Sequence, residues 1–463
     1  MRVAVALAAL AGATVLVATA GAADRIYWSN DGGNKISYVN LDGTVGTDLA
    51  TGTAAVSNPR GLAFDLAAVR VYWGNYTAGI SYASLDGSGG GDLNTAGATV
   101  NGVFGVAIDP VSGRIYWANL KANKISYASL NGSGGGDLNT GGATVSFPAG
   151  VAVDPAAGRL YWANSNVNKI SYASLSGTGG ADLSTGTATV STPYGVAIDV
   201  DAGRIYWANY GAGISFAALN GSGGGDLATT GATVSGPFGL AIDHSAGRVY
   251  WANYGAGISF AALDGSGGGN LATTGATVNK PGFPALLELP RGTGAPTIAG
   301  GSALGSVLSC SSAAWATDLI GAFLYRAPQS FAYAWSLNGA DIAGATTSSY
   351  TASTAGDYRC TVTASNQAGS TSQTSAPHTV SAPAAHPPPP PKCVVPNVVG
   401  KTLAIARTRI RKAHCRTGKV VRAYSEKVKT GRVLGQGPKA GRRLTNGARV
   451  NLVVSRGKKP KRR

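Results

Sequence analysis

Residues 105–119 read GVAIDPVSGRIYWAN, and this stretch decides the fold of most of the chain. An apolar run ends at Asp109, a PVSG turn follows, and a second run rich in β-branched and aromatic residues leads to YWAN at 116–119. Short apolar runs separated by Gly, Pro and Asp turns indicate β-strands joined as hairpins. The stretch therefore predicts two antiparallel strands.

The Tyr-Trp-x-Asn run recurs six times at an almost constant spacing. In each unit we expect a third strand, such as 124–130, a Gly-rich turn, such as 131–136, and a weaker fourth strand, here near Thr144 and Val145. Four short strands in a repeat of about 45 residues are typical of a propeller blade. The repeated tryptophans are Trp28, Trp73, Trp117, Trp162, Trp207 and Trp251.

The two ends of this array predict a closed ring. A Gly-x-Ala-x-Asp strand precedes every Tyr-Trp strand except the first. A degenerate copy, PGFPALL at 281–287, follows the last repeat. We expect this strand to complete the blade that opens at Trp28, because closure hides sheet edges that would otherwise aggregate.

These motifs resemble the YWTD propeller of the low-density lipoprotein receptor class, which also has six blades. The resemblance covers about 24–290 and implies a six-bladed β-propeller, which we assign to residues 24–292. The fourth motif position is Asn in all six copies rather than Asp, and the flanking modules of those receptors are missing. The fold therefore transfers to this chain, and the receptors' ligands do not.

The propeller offers few side chains for catalysis. Residues 24–300 contain one His, His244, and one Glu, Glu288. The Gly-rich turns lack the Lys of a phosphate-binding loop and the acidic density of a calcium loop. We expect no enzymatic activity, no cofactor and no metal; a lactonase-like or lyase-like propeller enzyme is the alternative. Five Asp residues share one repeat position, which favours turn hydrogen bonds over a metal ring: Asp65, Asp109, Asp154, Asp199 and Asp243.

The faces of the ring remain candidates for binding. We interpret the six tryptophans as core residues rather than as a sugar platform. Propeller faces present loops from every blade, and loops carry much of protein function. Residues that break the six-fold repeat would mark such a site.

Residues 1–23 have the pattern of an export signal. Arg2 precedes an apolar run through Val17, and small residues then lead to Ala22 and Ala23. A basic start, an apolar core and an A-x-A site are typical of a secretory signal peptide. We expect cleavage near Ala22 or Ala23 and no transmembrane segment afterwards; an uncleaved signal anchor is the alternative.

The repeat ends near Ala295, and a Cys-Trp-Cys order follows. Cys310, Trp335 and Cys360 stand in this order, with Tyr358 two residues before the second Cys. The pattern resembles immunoglobulin-like modules of bacterial surface proteins over 295–382. The resemblance implies a β-sandwich with a Cys310–Cys360 disulfide, which export permits, and a role in spacing its neighbours. Five consecutive prolines then predict a stiff linker over 383–391.

Positive charge is concentrated at the C-terminus. The formal net charge is +17, yet residues 24–300 hold 13 Lys and Arg against 17 acids. Residues 392–463 hold 22 Lys and Arg against a single acid, Glu426. A surface of this kind attracts carboxylates and phosphates.

The basic region resembles a PASTA domain, a module of penicillin-binding proteins and serine/threonine kinases. VVPNVVG at 394–400, PKAG at 438–441 and VNLVVSRG at 450–457 carry the resemblance. Between them, Thr402 is expected to cap a helix. The resemblance implies an extracytoplasmic module associated with peptidoglycan. We assign the domain to 392–457 and a basic tail to 458–463, and we expect a disulfide between Cys393 and Cys415.

The sequence thus predicts a mainly β protein made of a six-bladed β-propeller, an immunoglobulin-like β-sandwich and a small α+β PASTA module. We expect a secreted, cell-wall-associated monomer whose PASTA module binds peptidoglycan or anionic wall polymers and whose propeller binds an unknown protein or glycan. We expect no specific nucleic-acid partner; non-specific phosphate binding, or a basic surface that only aids solubility, is the alternative. Six basic residues are the candidates for wall binding: Arg407, Arg411, Lys412, Arg416, Lys419 and Arg432.

Overall fold

The computed structural model describes residues 23–384 and 387–460. In them the chain forms two compact units, one ending at Ala382 and the other beginning at Pro383. The predicted signal peptide, apart from Ala23, lies outside the described residues. None of the helices in the described part is long and apolar enough to cross a membrane.

Five four-stranded antiparallel sheets form blades 2 to 6 of the first unit. In each of these blades the innermost strand comes first in sequence, and the next three follow outward. Their strands are Pro59–Asp65, Arg70–Asn75, Gly79–Ser84 and Gly90–Asp92 in blade 2; Val103–Asp109, Arg114–Asn119, Lys124–Ser129 and Gly135–Asp137 in blade 3; Pro148–Asp154, Arg159–Asn164, Lys169–Ser174 and Gly180–Asp182 in blade 4; Pro193–Asp199, Arg204–Asn209, Gly213–Ala218 and Gly224–Asp226 in blade 5; and Pro237–Asp243, Arg248–Asn253, Ile258–Ala262 and Gly268–Asn270 in blade 6.

Blade 1 is closed by the last strand of the ring. Pro281–Leu287 is its innermost strand and pairs antiparallel with Arg25–Asn30; Lys35–Asn40 and Gly46–Asp48 follow outward. The innermost strands of successive blades are neighbours around the whole ring. The predicted closure and the six-bladed propeller are therefore confirmed.

The fourth strand of each blade lies earlier in the repeat than predicted. In blade 3 it is Gly135–Asp137, at the end of the expected Gly-rich turn, and Thr144 and Val145 belong to no strand. A Cβ on Gly135 would clash with the carbonyl oxygen of Tyr127 on the neighbouring strand. The glycines that resemble a turn are thus needed for a close strand contact, because a larger residue does not fit.

The innermost strands approach one another most closely at the motif glycines. A Cβ on Gly105 would lie 2.7 Å from the Cα of Gly150, and one on Gly150 would lie 2.8 Å from the Cα of Gly195. These distances leave no room for a side chain. The repeated glycine therefore sets how tightly the blades close around the ring axis.

The rest of the first unit, residues 291–382, is called here the β region. Two of its sheets are joined by the Cys310–Cys360 disulfide, Trp335 is buried, and the Tyr358 hydroxyl donates a hydrogen bond to the carbonyl of Thr354 at 2.8 Å. The predicted disulfide is confirmed, and the immunoglobulin-like assignment stays a prediction. The strands are Gly292–Gly294, Ile298–Ala299, Val307–Cys310, Ala314–Trp315, Leu324–Tyr325, Ser330–Leu337, Ala340–Asp341, Ser349–Thr351, Gly356–Asn366, Gly369–Thr374 and His378–Val380.

One segment of the β region, residues 317–329, enters the propeller; we call it the plug segment. Its 3-10 turn Ile320–Ala322 contacts the innermost strands of blades 3 to 6. Its strand Leu324–Tyr325 pairs in parallel with the innermost strand of blade 1, and the Tyr325 ring packs edge-on against Phe64 of blade 2. The segment therefore contacts all six blades at the carboxyl ends of the innermost strands.

The plug segment is held by apolar burial and by backbone hydrogen bonds. Phe323, Leu324 and Tyr325 are at most 3% exposed. The Leu286 N–H donates to the Phe323 carbonyl and the Glu288 N–H donates to the Tyr325 carbonyl, each at 2.8 Å. The β region and the propeller thus share one core, a contact that the sequence did not predict.

The second unit is a small α+β module. The helix Leu403–Lys412 is capped by Thr402, whose Oγ1 accepts a hydrogen bond from the Ile405 N–H at 3.4 Å. Ala406 and Ile410 of the helix are fully buried against the sheet. The Cys393–Cys415 disulfide is present, as predicted. The strands are Cys393–Val394, Arg416–Ala423, Val433–Gly437, Arg443–Leu444 and Arg449–Ser455.

Candidate functional site

The Tyr-Trp-x-Asn residues form a scaffold that repeats in each blade. In blade 3, the fully buried Trp117 donates from Nε1 to the Thr99 carbonyl at 3.0 Å. Asn119 donates from Nδ2 to Ser126 Oγ at 2.8 Å, and that hydroxyl donates to Asp137 Oδ1 at 2.6 Å. All six tryptophans are fully buried, which confirms that they are core residues.

The five repeated aspartates bind their own turns. Asp154 Oδ1 accepts the Ala157 N–H at 3.0 Å, and Asp243 Oδ1 accepts the Ala246 N–H at 2.8 Å. Asp65 and Asp199 accept the equivalent N–H groups, and Asp109 accepts the Val111 N–H and the Ser112 hydroxyl of its turn. Among residues 23–384 and 387–460, no three His, Cys, Asp or Glu side chains cluster closely enough to hold a metal ion. The aspartates are accounted for as turn residues, as their equivalence predicted.

The blades differ from one another most visibly on one face of the ring, at the amino ends of the innermost strands. The residue before the motif glycine is Arg60, Phe104, Ala149, Tyr194 or Phe238, and PGF at 281–283 is the counterpart in blade 1. The residue after the Tyr-Trp-x-Asn run is Asp31, Tyr76, Leu120, Ser165, Tyr210 or Tyr254. We call this surface the aromatic face, because most of these side chains are rings.

The centre of the aromatic face is a packed cluster of rings. Phe238 stacks on Tyr194 at 4.6 Å and on Tyr254 at 5.1 Å between ring centroids. Phe104 lies 5.3 Å from Phe238 and 5.9 Å from Phe283. Phe104, Phe238 and Phe283 are at most 4% exposed, so the cluster fills this end of the ring.

Arg60 lies over this cluster and is paired with Asp31. The Arg60 Cζ is 5.1 Å from the Phe104 centroid and 5.3 Å from that of Phe238, which are cation–π distances. Arg60 Nη2 is 3.1 Å from Asp31 Oδ2, which also accepts the Tyr254 hydroxyl at 2.6 Å. Burial and the Asp31 carboxylate raise the pKa of Tyr254. Arg60 is thus held by an ion pair with Asp31 and by cation–π contacts with the rings beneath it.

The outer part of the aromatic face is accessible. Tyr210 is 42% exposed. Lys121 Nζ lies 4.5 Å from the Tyr76 centroid, and Lys280 Nζ lies 5.6 Å from that of Tyr254. Tyrosine is enriched in binding surfaces, which makes the exposed Tyr210 a candidate contact residue. None of these residues was predicted as a site residue, although aligning the six repeats would have singled them out.

His244 and Glu288, the rare side chains of the propeller, lie near the opposite face. His244 Nδ1 is 2.8 Å from Asp199 Oδ2, which joins the turns of blades 6 and 5. Glu288 is 7% exposed, and burial, followed by the nearby Asp243 carboxylate, raises its pKa to about 8. The two side chains thus have different partners, Asp199 for His244 and Asp243 for Glu288.

The PASTA-like unit carries a basic cleft between its helix and the strand that follows. This first cleft has a volume of about 450 Å³. It brings together Arg407, Arg411 and Arg416, three of the six predicted wall-binding residues, with Thr408 and Thr417 between them. All three arginines are exposed.

The other three candidates do not line this cleft. Lys412 and Lys419 are exposed on the helix and the strand. Arg432 donates from Nη1 to the Gly400 carbonyl at 2.8 Å and so holds a turn. Their part in wall binding stays a prediction, because net charge along the sequence does not say which way side chains point.

A second basic cleft, of about 510 Å³, was missed. Arg422, Tyr424 and Arg456 line it together with Leu403 at the start of the helix. The Arg456 Cζ lies 5.7 Å from the Tyr424 centroid. Arg456 stands in the closing VNLVVSRG motif, and Tyr424 is the single aromatic residue of the module, so both could have been noted.

Comparison with known proteins identifies the second unit. Residues 394–456 match the PASTA domain family, so this unit is a PASTA domain, as predicted. A probable serine/threonine-protein kinase of Clostridium acetobutylicum is 36% identical over 63 residues, which are 14% of this chain and 10% of the kinase. The match thus spans a small part of the kinase.

Two solved structures resemble this chain over part of its length. A chain from the crystal structure of a nidogen/laminin complex has a TM-score of 0.45 and 18% identity, covering 57% of this chain and 98% of that one. A protein from Lactobacillus plantarum has a TM-score of 0.38 and 16% identity, covering 57% of this chain and 99% of the other.

Proposed function

We propose that this chain is a secreted, non-enzymatic binding protein of the bacterial cell wall. The PASTA domain binds peptidoglycan or an anionic wall polymer, and the propeller presents its aromatic face to a protein or glycan. The observation that carries the proposal is the basic cleft with Arg407, Arg411 and Arg416 in a domain of a family that occurs in cell-wall-associated proteins.

The charge of the domain supports this role. Within residues 387–460, none of the Lys or Arg side chains is paired with a carboxylate. Their charges are therefore available to a ligand. Guanidinium groups bind carboxylates and phosphates through paired hydrogen bonds, and wall polymers supply both groups.

Two further observations support a binding role for the propeller. The aromatic cluster fills one end of the ring and the plug segment fills the other. A ligand can therefore contact the loops of the aromatic face, which are exposed and differ from blade to blade. Both disulfides are consistent with an extracytoplasmic location, where thiols oxidise. The alternative, an exported lactonase-like or lyase-like enzyme, has no comparable support.

Co-sedimentation with purified wall sacculi tests the proposal. The full chain should sediment with sacculi in low salt and be released in high salt, because screening weakens contacts between exposed charges. A chain that ends at Ala382 keeps the first compact unit and should stay in the supernatant. Equal sedimentation of both chains, or no salt-sensitive binding by the full chain, would contradict the proposal.

A further inference from the structure

The two basic clefts of the PASTA domain follow one another along a single junction. The helix Leu403–Lys412 is followed at once by the strand Arg416–Ala423, which packs against it. The first cleft uses the end of the helix and strand residues 416–420. The second uses the start of the helix and residues 422–424. Because the strand returns along the helix, the clefts lie at opposite ends of their junction.

The junction is longer than the diameter of a small anion. Arg422 lies six positions after Arg416 in a strand with one register shift, and a strand rises about 3.3 Å per residue, so the two Cα atoms are at most about 20 Å apart. A lone phosphate or carboxylate can occupy one cleft at a time. A linear polymer with a negative charge in every repeat can reach both.

The charges along the junction are of one sign. Glu426 is the single acidic side chain in residues 392–463, and it lines neither cleft. A peptidoglycan stem peptide carries amino groups as well as carboxylates, and neither cleft offers a carboxylate side chain to receive an amine. A phosphodiester chain carries only negative charge, and its oxygens match the fork of a guanidinium group.

We infer that the helix–strand junction of the PASTA domain binds a linear phosphodiester polymer of the wall, with Arg407 and Arg411 holding one part of the chain and Arg422 and Arg456 holding another. This inference rests on the proposed wall-binding function and names the polymer class. The two ends act together, because one flexible chain held at two points binds more tightly than at either alone.

The test uses the full chain with three double variants, each losing two charges. Arg407→Gln/Arg411→Gln alters the first cleft, and Arg422→Gln/Arg456→Gln alters the second. Arg442→Gln/Arg443→Gln is the matched control, because both arginines are exposed and line neither cleft. Circular dichroism verifies that each variant is folded.

Two measurements are made on each protein. The first is affinity for poly(glycerol phosphate) and for glycerol 3-phosphate. The second is co-sedimentation with sacculi before and after hydrofluoric acid treatment, which cleaves phosphodiesters and leaves peptidoglycan. We expect each cleft variant to bind the polymer about tenfold or more weakly and the control to lose about threefold or less. Glycerol 3-phosphate should bind weakly to all four proteins, and acid treatment should abolish sedimentation.

The outcomes separate the inference from the function on which it rests. Retained sedimentation with acid-treated sacculi would overturn the phosphodiester inference and leave wall binding intact. Equal losses in all three variants, or tighter binding of duplex DNA than of the polymer at equal charge concentration, would also overturn it. Absence of salt-sensitive binding to either kind of sacculus would instead remove the proposed function.

Discussion

Asn164 explains why an amide stands at the fourth motif position of every repeat. Its Oδ1 accepts hydrogen bonds from the Ser146 N–H at 2.8 Å and from Trp162 Nε1 at 3.2 Å. Its Nδ2 donates to Ser171 Oγ at 2.8 Å, and that hydroxyl donates its one proton to Asp182 at 2.6 Å. The position therefore needs an acceptor and a donor together, which an amide supplies and a carboxylate does not.

Replacing Asn164 by Asp should destabilise the first unit. The new carboxylate would face Ser171, whose proton is already donated to Asp182, so a buried charge would lose a partner. We expect Asn164→Asp to lower the free energy of unfolding by about 1–3 kcal/mol in urea titrations. Asn166→Asp is the control, because Asn166 is exposed and makes one contact of 3.5 Å. A similar loss in both variants would show that the network is unimportant.

Glu288 gives the first unit a dependence on pH. Burial and the Asp243 carboxylate raise its pKa from 4.5 to about 8, and Asp24 adds to the rise while Arg326 opposes it. Between these two pH values the folded protein holds a proton that the unfolded chain releases. The contribution of Glu288 to stability is therefore complete below about pH 4.5 and is lost as the pH rises through about 8.

A Glu288→Gln variant should lack this loss. Each pKa unit corresponds to about 1.4 kcal/mol. Between pH 5 and pH 8, the free energy of unfolding of the variant should therefore fall less than that of the parent chain, by up to a few kcal/mol. Urea titrations at several pH values measure this difference in the free energy of unfolding. Glu426→Gln is the control, because Glu426 is an exposed residue of the other unit. Parallel pH curves for the parent chain and Glu288→Gln would show that Glu288 does not titrate in this range.

The plug segment is the element that ties the β region to the propeller. Leu324 is fully buried and pairs with Leu286 in the innermost strand of blade 1. Leu324→Ala should lower the free energy of unfolding of the whole first unit by about 2–5 kcal/mol, because a cavity forms where two parts share a core. Tryptophan fluorescence in urea reports this unfolding, because six of the eight tryptophans are in the propeller repeats.

Leu304→Ala is the matched control for this element. Leu304 lies in the β region, outside the plug segment, and is 39% exposed. Its loss should leave the fluorescence transition almost unchanged. If Leu324→Ala also left the transition unchanged, the plug segment would be a surface contact without a part in the stability of the propeller.

Local patterns predicted the elements whose partners lie nearby in sequence. The Gly-x-Ala-x-Asp and Tyr-Trp strands, and the capped helix after Thr402, follow from periodicity and turn residues. The outer strand at Gly135–Asp137 was misplaced because glycines required by a close contact look the same as turn glycines. The plug segment was missed because Phe323 and Leu324 are apolar residues whose partner, Leu286, is determined by tertiary packing.

At the scale of the molecule, charge predicted the region of the basic site but not its geometry. The sequence places Arg407, Arg411 and Arg416 in one module, and the structure places them in one cleft. It does not reveal that Arg422 and Arg456 form a second cleft, because that requires the strand order of the sheet. The residues of the aromatic face could have been found from the sequence, because an alignment of the six repeats shows each position at which a blade departs from the common pattern.

The plug segment also decides which pieces of this chain can be moved into other proteins. A gene fragment cut after residue 292 would follow the repeat yet uncover Phe64 and Leu286, inviting aggregation of the isolated ring. The smallest fragment suited to transfer is residues 24–382, and a new partner should be fused at Pro383. Chimeras that graft the ring onto a new anchor should therefore carry the β region with it.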